Sequence, residues 1–330
     1  MILDAALANL LSPIILCFVL GLVAGAVKSD LEVPAPIAKG LSLYLMLAIG
    51  LKGGWSLAAS GAGWSAAPAL LVAALLSLIL PLPAYAALRS LLKLDQPTAA
   101  AIAAHYGSIS IVTFASAQTF LAQQAVGFEG YVVAMVAIME TPAIVTGIYL
   151  AHRGAQAKAG EAGPGGAHRD HLLREVLFNG SVMLLVGGLL IGWATGARGE
   201  AEVKPFFSDL FKGALCLFLL DIGLTVARRG AALKRLTLGL ISFGLIMPLV
   251  SATAGLGAGL ILGLSLGGVT LLMLLCASAS YIAVPAAMRL AVPKADPAIY
   301  MTLSLAVTFP FNIVLGVPLY YAAARWAIGG

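Results

Sequence analysis

The chain has 330 residues, of which 61% are hydrophobic and only 10% are charged. Its mean hydropathy of +1.02 lies far above that of soluble globular domains. Apolar stretches of about twenty residues recur along the whole length, and each can cross a bilayer as a helix. These values exclude a soluble fold and predict an all-α polytopic membrane protein. The net charge of +5 resides mostly in short loops, so we expect no nucleic-acid partner.

The hydropathy pattern predicts ten transmembrane helices. In chain order they cover 8–27, 34–58, 64–92, 97–123, 127–151, 172–195, 204–227, 235–262, 267–291 and 298–326. A stretch rich in glycine, alanine and charge follows the fifth span, and it has no apolar face to bury. The sequence therefore predicts a first five-helix repeat at 1–151, a cytoplasmic linker at 152–171 and a second repeat at 172–330.

The basic residues predict the topology. Most of the 19 lysine and arginine residues lie in the loops after the odd-numbered spans or at the helix ends beside them. Cytoplasmic loops of membrane proteins carry such an excess of positive charge. We therefore expect a multi-pass protein of the inner membrane with the central linker in the cytoplasm and both termini outside.

The two halves resemble each other in five places at a nearly constant spacing. GLVAG at 21–25 matches GLLIG at 188–192, and LAIGL at 47–51 matches LDIGL at 220–224. The third and eighth spans share a central proline, the fourth and ninth a Ser-x-Ser, and the fifth and tenth a residue pair ending in proline. Because each unit has an odd number of crossings, the second unit is inverted relative to the first. Such 5+5 inverted repeats are typical of secondary transporters.

The fourth and ninth spans are predicted to break in the middle. The fourth has Gly107 followed by a β-branched run, and the ninth has Pro285, which lacks an amide proton. A broken helix leaves main-chain groups unpaired, and these are tolerated in a membrane only where they line a cavity or meet a ligand. With the paired hydroxyls of both Ser-x-Ser motifs and helix N-termini aimed at the break, the pattern favours a small anion as ligand. Alternatively, serine and glycine serve only close helix packing.

Two acidic residues, Glu140 and Asp221, lie well inside apolar spans. Placing an ionised carboxylate there costs about 2.5–3.5 kcal/mol on insertion scales, so each needs a partner or an ion. We expect one or both to serve a coupling cation, and Pro142 frees a carbonyl near Glu140 for the same purpose. Alternatively, Asp221 pairs with Lys52 or Lys212, or faces water near a helix end.

His105 is either a proton relay or a hydrogen-bonded structural residue. Near Ser108 it does not by itself indicate a hydrolase, which needs a base and an orienting acid beside a nucleophile. The sequence contains no glycine-rich phosphate loop, redox motif or metal-ligand cluster. We therefore expect a protein that is not an enzyme and that has no organic cofactor.

Three segments carry a resemblance to a known family: YGSISIVTFASAQTFL in span four, METPAIVTGIYLA in span five, and SASYIAVPAAMRLAVPKADPAIYMTLSLAVTFPFNIVLGVPLY in spans nine and ten. The chain resembles the sodium-dependent bicarbonate transporter superfamily known from cyanobacteria. The resemblance implies a core domain (spans three to five and eight to ten), a gate domain (one, two, six and seven), a homotrimer and an elevator-like motion driven by inward Na⁺ flux. It also implies a bicarbonate site between the two serine motifs and a PII-like cytoplasmic regulator.

The predicted site residues follow from both lines of reasoning. For the substrate they are Gly107, Ser108, Ile109, Ser110, Ala277, Ser278, Ala279, Ser280 and Tyr281, and for the coupling cation Glu140, Thr113 and Asp221. The sequence departs from the family where Ser278-Ala279-Ser280-Tyr281-Ile282-Ala283-Val284 replaces Ser-Ser-Ser-Asp-Ile-Ser-Gly. An acid is lost at Tyr281 and hydroxyls are lost at Ala279 and Ala283, while Tyr281 adds a phenol.

The expected function is sodium-coupled uptake of bicarbonate or a similar small monovalent anion, by an elevator-like mechanism. Two alternatives remain at this stage. One is a proton- or sodium-coupled carrier of another small organic anion, in which Glu140 and His105 would carry the proton. The other is a membrane sensor that binds its ligand without transporting it.

Overall fold

A computed structural model describes residues 11–61, 63–153, 180–228 and 236–329. Within these ranges the chain is helical and contains no strand. Seven helical spans in the described part of the chain, most of them made of successive helices, are long and apolar enough to cross a membrane. Two shorter helices, Pro13–Ala26 and Leu266–Ala277, are apolar as well. The prediction of an all-α polytopic membrane protein is therefore confirmed.

The described part of the first half contains one long helix, and its other helices are short segments, several of which follow one another within a span. They are α1 (Pro13–Ala26), α2 (Ala35–Ser60), α3 (Ala67–Ile79), α4 (Pro81–Ser90), α5 (Gln96–Gly107), α6 (Ile111–Gln123), α7 (Val132–Glu140) and α8 (Pro142–His152).

The second half contains π-helical segments between its α-helices. They are α9 (Gly180–Lys204), α10 (Phe211–Arg228), α11 (Leu238–Ile261), α12 (Leu266–Ala277), α13 (Ala283–Ala291), α14 (Pro297–Thr302), α15 (Phe309–Phe311) and α16 (Val317–Ile328). The π-helical segments are Pro205–Asp209, Leu303–Thr308 and Asn312–Gly316.

Side-chain caps set the start of several helices. The side chains of Ser12, Asp95, Thr237, Ser265 and Asp296 each accept a hydrogen bond from a backbone amide in the first turn of the following helix. These amides have no partner within the helix, so a cap typically stabilises it by about 1 kcal/mol. Pro81 and Pro142 begin α4 and α8 directly after helical residues, and their missing amide protons interrupt the helical hydrogen bonding within one span.

Helices α5 and α12 form the centre of the protein. Every residue from Thr98 to Gly107 is buried, and so is every residue from Gly267 to Ala277. Around them, α1 packs along α10 and α2 packs along α9. Both central helices end inside the protein, at Gly107 and Ala277, and the serine segments follow directly.

Large apolar side chains remain exposed on the outer helices. Leu71 on α3 is 63% exposed, Ile246 on α11 is 56% exposed and Ile261 is 87% exposed. Exposed apolar surface of this extent is unusual in a soluble monomer. It is the surface that a helix presents to lipid, which agrees with the hydropathy of the chain.

Several predicted boundaries differ from the observed ones. The loop predicted between spans six and seven is largely helical, because α9 bends at Gly196 (φ 54°, ψ −149°) and continues to Lys204. That backbone conformation is accessible to glycine and strained for other residues. Span seven therefore begins at Phe211, not at 204. In span four the β-branched run is helical again from Ile111 onward, so the interruption is confined to three residues.

Most of the predicted cytoplasmic linker lies outside the described residues, since only 152 and 153 of 152–171 belong to them. The N-terminal end of the predicted first span and residues 172–179 of the sixth also lie outside them. The division into two repeats at these boundaries stays a prediction.

Candidate functional site

Span four is interrupted at Ser108, Ile109 and Ser110. Helix α5 ends at Gly107, and Ser108 and Ser110 have extended backbone angles (φ −100°, ψ 154° and φ −112°, ψ 110°). Glycine is required at the end of α5, because a Cβ atom on Gly107 would overlap the ring of Pro81. Helix α6 then begins at Ile111 with Ser110 as its N-cap, whose hydroxyl oxygen accepts a hydrogen bond from the Thr113 amide (3.3 Å).

Span nine is interrupted from Ser278 to Ile282. Helix α12 ends at Ala277, and Ser278 is extended (φ −80°, ψ 163°). Helix α13 begins at Ala283, which places Pro285 in its first turn. A proline is tolerated there because no intrahelical bond is lost. The helix breaks that the sequence predicted at both serine motifs are therefore present in the structure.

The two interrupted segments touch each other. The Ser110 amide donates a hydrogen bond to the Ser278 hydroxyl oxygen (3.0 Å), across 168 residues of sequence. The Ser280 amide donates to the carbonyl of His105 in the last turn of α5 (2.9 Å). The two breaks are thus joined by one contact between main chain and side chain and one contact between main-chain groups.

A narrow pocket lies between the segments. It is lined by Ile109, Ser110, Ile111, Glu140, Ser280, Tyr281 and Ile282. In the conformation described it leaves no room for a water molecule, so a ligand enters only if the walls move. The pocket brings together one serine of each predicted pair, the predicted acid Glu140 and the phenol of Tyr281.

The other serine of each pair is engaged elsewhere. Ser108 donates its hydroxyl to the carbonyl oxygen of Glu140 (3.0 Å), and Ser278 donates to Leu275 (2.9 Å) while it accepts from the Ser110 amide. Both are at most 1% exposed and neither lines the pocket. The structure therefore separates the two hydroxyls of each motif instead of directing both to one ligand.

The main chain at the breaks retains free donors. Among the residues that the structure describes, no hydrogen bond is made by the amides of Ile109, Ala279 and Tyr281. Hydroxyl and amide donors that converge in a buried place suit an acceptor ligand, and an anion most of all.

Glu140 is the acidic group of the site. It is the last residue of α7, it is 1% exposed, and its Oε2 atom has no hydrogen-bond partner among the described residues. A buried carboxylate oxygen without a partner is costly, by about 1–3 kcal/mol or more. An unpartnered oxygen next to hydroxyls and carbonyls is the kind of ligand that a hard cation such as Na⁺ takes.

The other two predicted cation ligands are not equally placed. Thr113 is buried close to the pocket, and its hydroxyl donates to Ser110 (2.8 Å), which leaves its oxygen lone pairs available. Asp221 is half-buried on α10 and does not line the pocket. Among the described residues, Asp221 forms no ion pair with Lys52 or Lys212. A cation role for Asp221 stays a prediction without contact to this pocket.

His105 has a fixed tautomer. Its Nδ1 lies 2.7 Å from the carbonyl oxygen of Ala101, which can only accept, so Nδ1 carries the proton. Nε2 is then an acceptor, and it has no partner among the described residues. The imidazole ring packs against Tyr300 at 4.7 Å between centroids.

The last span contributes residues that the sequence reasoning missed. Asn312 donates from its side-chain amide to the carbonyl of Ala277 (2.8 Å) at the end of α12, and Thr308 bonds both Tyr106 (2.5 Å) and the Gly244 carbonyl (2.8 Å). These residues are completely buried and lie on the π-helical part of the span. A polar residue at every fourth position, from Tyr300 through Thr308 to Asn312, was the signal in the sequence.

Within the described ranges no three His, Cys, Asp or Glu side chains come together. A cation held at Glu140 would therefore have one carboxylate and otherwise neutral oxygen ligands. This set suits an alkali or alkaline-earth ion and not a transition metal.

Comparison with known proteins identifies the family. Residues 13–325 match the model of the Na⁺-dependent bicarbonate transporter superfamily. No curated protein matches the chain. Because the match extends over nearly the whole length and includes both interrupted helices, this chain belongs to the Na⁺-dependent bicarbonate transporter superfamily.

Proposed function

We propose that the protein is a secondary active transporter that takes up bicarbonate or a similarly small monovalent anion together with Na⁺. The observation that carries the proposal is the pocket between the two interrupted helices, where Ser110, Ser280 and Tyr281 face Glu140. Membership in a Na⁺-dependent bicarbonate transporter family supports both the anion and the cation. It also favours a transporter over an enzyme.

The anion binds between the two breaks. The hydroxyls of Ser110 and Ser280 and the free amides of Ile109, Ala279 and Tyr281 donate to its oxygens. Ser108 and Ser278 do not contact the anion themselves. Ser108 donates a hydrogen bond to the main-chain carbonyl of Glu140, and Ser278 accepts one from the Ser110 amide. Gly107 and Ala277 end the two central helices and let the chain cross at this place.

Sodium binds at the Glu140 carboxylate, with the Thr113 hydroxyl as a further ligand. A cation beside the anion pocket stabilises the anion, and the anion stabilises the cation, because opposite charges attract strongly where water is excluded. Such mutual stabilisation couples the two transport events. A site that is empty, or that holds only one of the two ions, lacks this mutual stabilisation.

The helix packing supports the inverted repeat. A Cβ atom added to Gly188 would lie 3.2 Å from the Cα of Gly50, and one added to Gly223 would lie 3.0 Å from the Cα of Gly21. Gly21 and Gly188 occupy matching positions of the two halves, and so do Gly50 and Gly223. The contact of α1 with α10 thus repeats the contact of α9 with α2, as a two-fold related pair requires.

We assign these four helices to a gate domain and the remaining spans to a core domain that carries the pocket. Transport proceeds by an elevator-like motion of the core domain against the gate domain. We further propose a homotrimer in the inner membrane, with both termini outside and the linker at 152–171 in the cytoplasm. A PII-like regulator would bind from the cytoplasmic side.

The deciding experiment is uptake of labelled bicarbonate into proteoliposomes with and without an inward sodium gradient. We expect uptake that depends on the gradient. It should be lost when Ser110 or Ser280 is replaced by a bulky residue, while Ser116→Leu on the same helix as Ser110, outside the pocket, serves as the control. Gradient-independent or absent uptake refutes the sodium-coupled assignment.

Proton coupling is the second candidate, and the buried acceptor Nε2 of His105 together with the unpartnered Glu140 oxygen favours it. In that case uptake follows a pH gradient in the absence of sodium. A sensor that binds without transport is distinguished by anion-dependent thermal stabilisation without flux.

A further inference from the structure

Tyr281 occupies a special place in the pocket. It directly follows Ser280 in the interruption of span nine, is 7% exposed, and lines the pocket with Ser110 and Glu140. Its hydroxyl makes no hydrogen bond of normal geometry among the described residues, and its polar neighbour is the Ser110 side chain, which lies close enough to interact with it. A buried phenol normally finds a partner. The unpartnered hydroxyl therefore points to a ligand in the pocket.

The donors around Tyr281 define the chemistry of that ligand. The Ser110 oxygen already accepts from the amide and the hydroxyl of Thr113, so its own proton is free to donate into the pocket. The Tyr281 hydroxyl is a second donor that lines the pocket. Two hydroxyl donors in one small pocket are satisfied together by one ligand with at least two acceptor oxygens, as in a carboxylate or a bicarbonate.

The ring of Tyr281 limits the space. It packs edge-on against Phe309 with 5.3 Å between centroids, and Phe309 packs against Phe18 of α1 with 5.6 Å. Phe309 is 2% exposed and Phe18 is 1% exposed, so both rings are enclosed by other protein groups, and close-packed interiors resist displacement of large side chains. The Tyr281 ring therefore cannot retreat far from Ser110, so the room for a ligand comes from movement of the other walls of the pocket.

We propose that Tyr281 is the residue that determines substrate size: its hydroxyl donates to the anion, and its ring, held by Phe309 and Phe18, excludes carboxylates larger than bicarbonate or formate. The inference rests on the anion site proposed above and adds its selectivity. The roles of the Tyr281 hydroxyl and of the Tyr281 ring can be tested separately by mutation. Tyr281→Phe removes only the donor, and Tyr281→Leu removes the ring as well.

The test compares binding of formate, bicarbonate, acetate and pyruvate as sodium salts, measured as the rise in apparent Tm of the purified protein in detergent. We expect the unsubstituted protein to be stabilised by formate and bicarbonate only. Tyr281→Leu should bind acetate and pyruvate about tenfold more tightly or better, since one methyl-sized group in a pocket changes affinity about 10- to 200-fold. Tyr281→Phe should bind the small anions more weakly and still reject the larger ones.

Tyr131→Leu is the matched control, because Tyr131 is a half-buried tyrosine that does not line the pocket. Its anion series should equal that of the unsubstituted protein. If Tyr281→Leu does not fold, Tyr281→Met serves the same purpose. An unchanged anion series in the Tyr281 variants, or stabilisation by none of the anions, overturns the size-filter proposal.

Transport measurements separate this proposal from the proposed function. The same variants are reconstituted, and competition of each anion with labelled bicarbonate uptake is measured. If the variants bind the anions with the expected selectivity but show no transport, the transporter assignment is contradicted and the size-filter proposal is supported. Sodium-driven uptake with the same rejection of acetate in all variants contradicts the size filter alone.

Discussion

Replacing Ser278 by alanine removes a hydroxyl that joins the two interrupted helices. This hydroxyl accepts from the Ser110 amide (3.0 Å) and donates to the Leu275 carbonyl (2.9 Å). In the Ser278→Ala protein the Ser110 amide has no acceptor and is buried, because Ser110 is 4% exposed. The other serine of the motif, Ser280, keeps its hydroxyl in the pocket and gives the contrasting variant.

The size of the effect follows from the unpaired amide. A buried donor that loses its partner costs about 1–3 kcal/mol. The loss should lower the apparent Tm by a few degrees. Ser280→Ala leaves no described donor unpaired, so its apparent Tm should change little while its anion affinity falls. The two serines of one motif are thus expected to act differently, one on stability and one on binding.

The assay is thermal unfolding in detergent, with and without sodium bicarbonate, followed by uptake in proteoliposomes. Ser116→Ala is the control for the loss of a buried hydroxyl, because Ser116 only donates to Val112 within its own helix (2.9 Å). Equal destabilisation by Ser278→Ala, Ser280→Ala and Ser116→Ala would refute the reasoning. So would a Ser280→Ala protein with unchanged anion affinity.

Three further predictions concern other parts of the structure. Glu140→Gln keeps the carbonyl that binds Ser108 but removes the charge, so uptake should lose its sodium dependence without loss of folded protein; sodium-dependent uptake at the original level would contradict this. Gly223→Leu should reduce the yield of folded protein, because a side chain there overlaps the Phe18 carbonyl and overpacking costs about 1–3 kcal/mol. Gly213→Leu on the same helix meets open space and is the control; both variants are compared by size-exclusion chromatography. The Glu129 carboxylate accepts hydrogen bonds from the amide (2.6 Å) and the hydroxyl (3.1 Å) of Ser265, which caps α12. Glu129→Ala removes this acceptor and should lower the apparent Tm; an unchanged Tm would refute the prediction.

Much of the architecture could be predicted because the membrane imposes it. Helices are required wherever main-chain groups cross hydrocarbon, so hydropathy alone indicates where they lie. The breaks at Ser108–Ser110 and Ser278–Ile282 could be predicted because glycine and proline limit helix continuation locally. The sequence did not predict that α9 continues beyond Gly196. The residues that follow Gly196 are rich in charge, and this composition is the same as that of a loop between two spans.

The internal arrangement of the site was harder to predict. Sequence placed both hydroxyls of each serine motif on one ligand, but tertiary contacts engage Ser108 with Glu140 and Ser278 with Ser110. Such pairings depend on the distance between helices that are far apart in sequence, which local spacing does not encode. The same holds for Asp221, which like Glu140 lies inside an apolar run of the sequence but is only half-buried and does not line the pocket.

The central claim is that an anion and a sodium ion bind where the two interrupted helices meet. The most direct measurement is an electron cryo-microscopy structure of the reconstituted protein in sodium bicarbonate at a resolution that separates bound ions from side chains. We predict density for an anion between Ser110, Ser280 and Tyr281 and density for a cation at Glu140. Anion density elsewhere in the protein, or continuous helices through both serine motifs, would contradict the account.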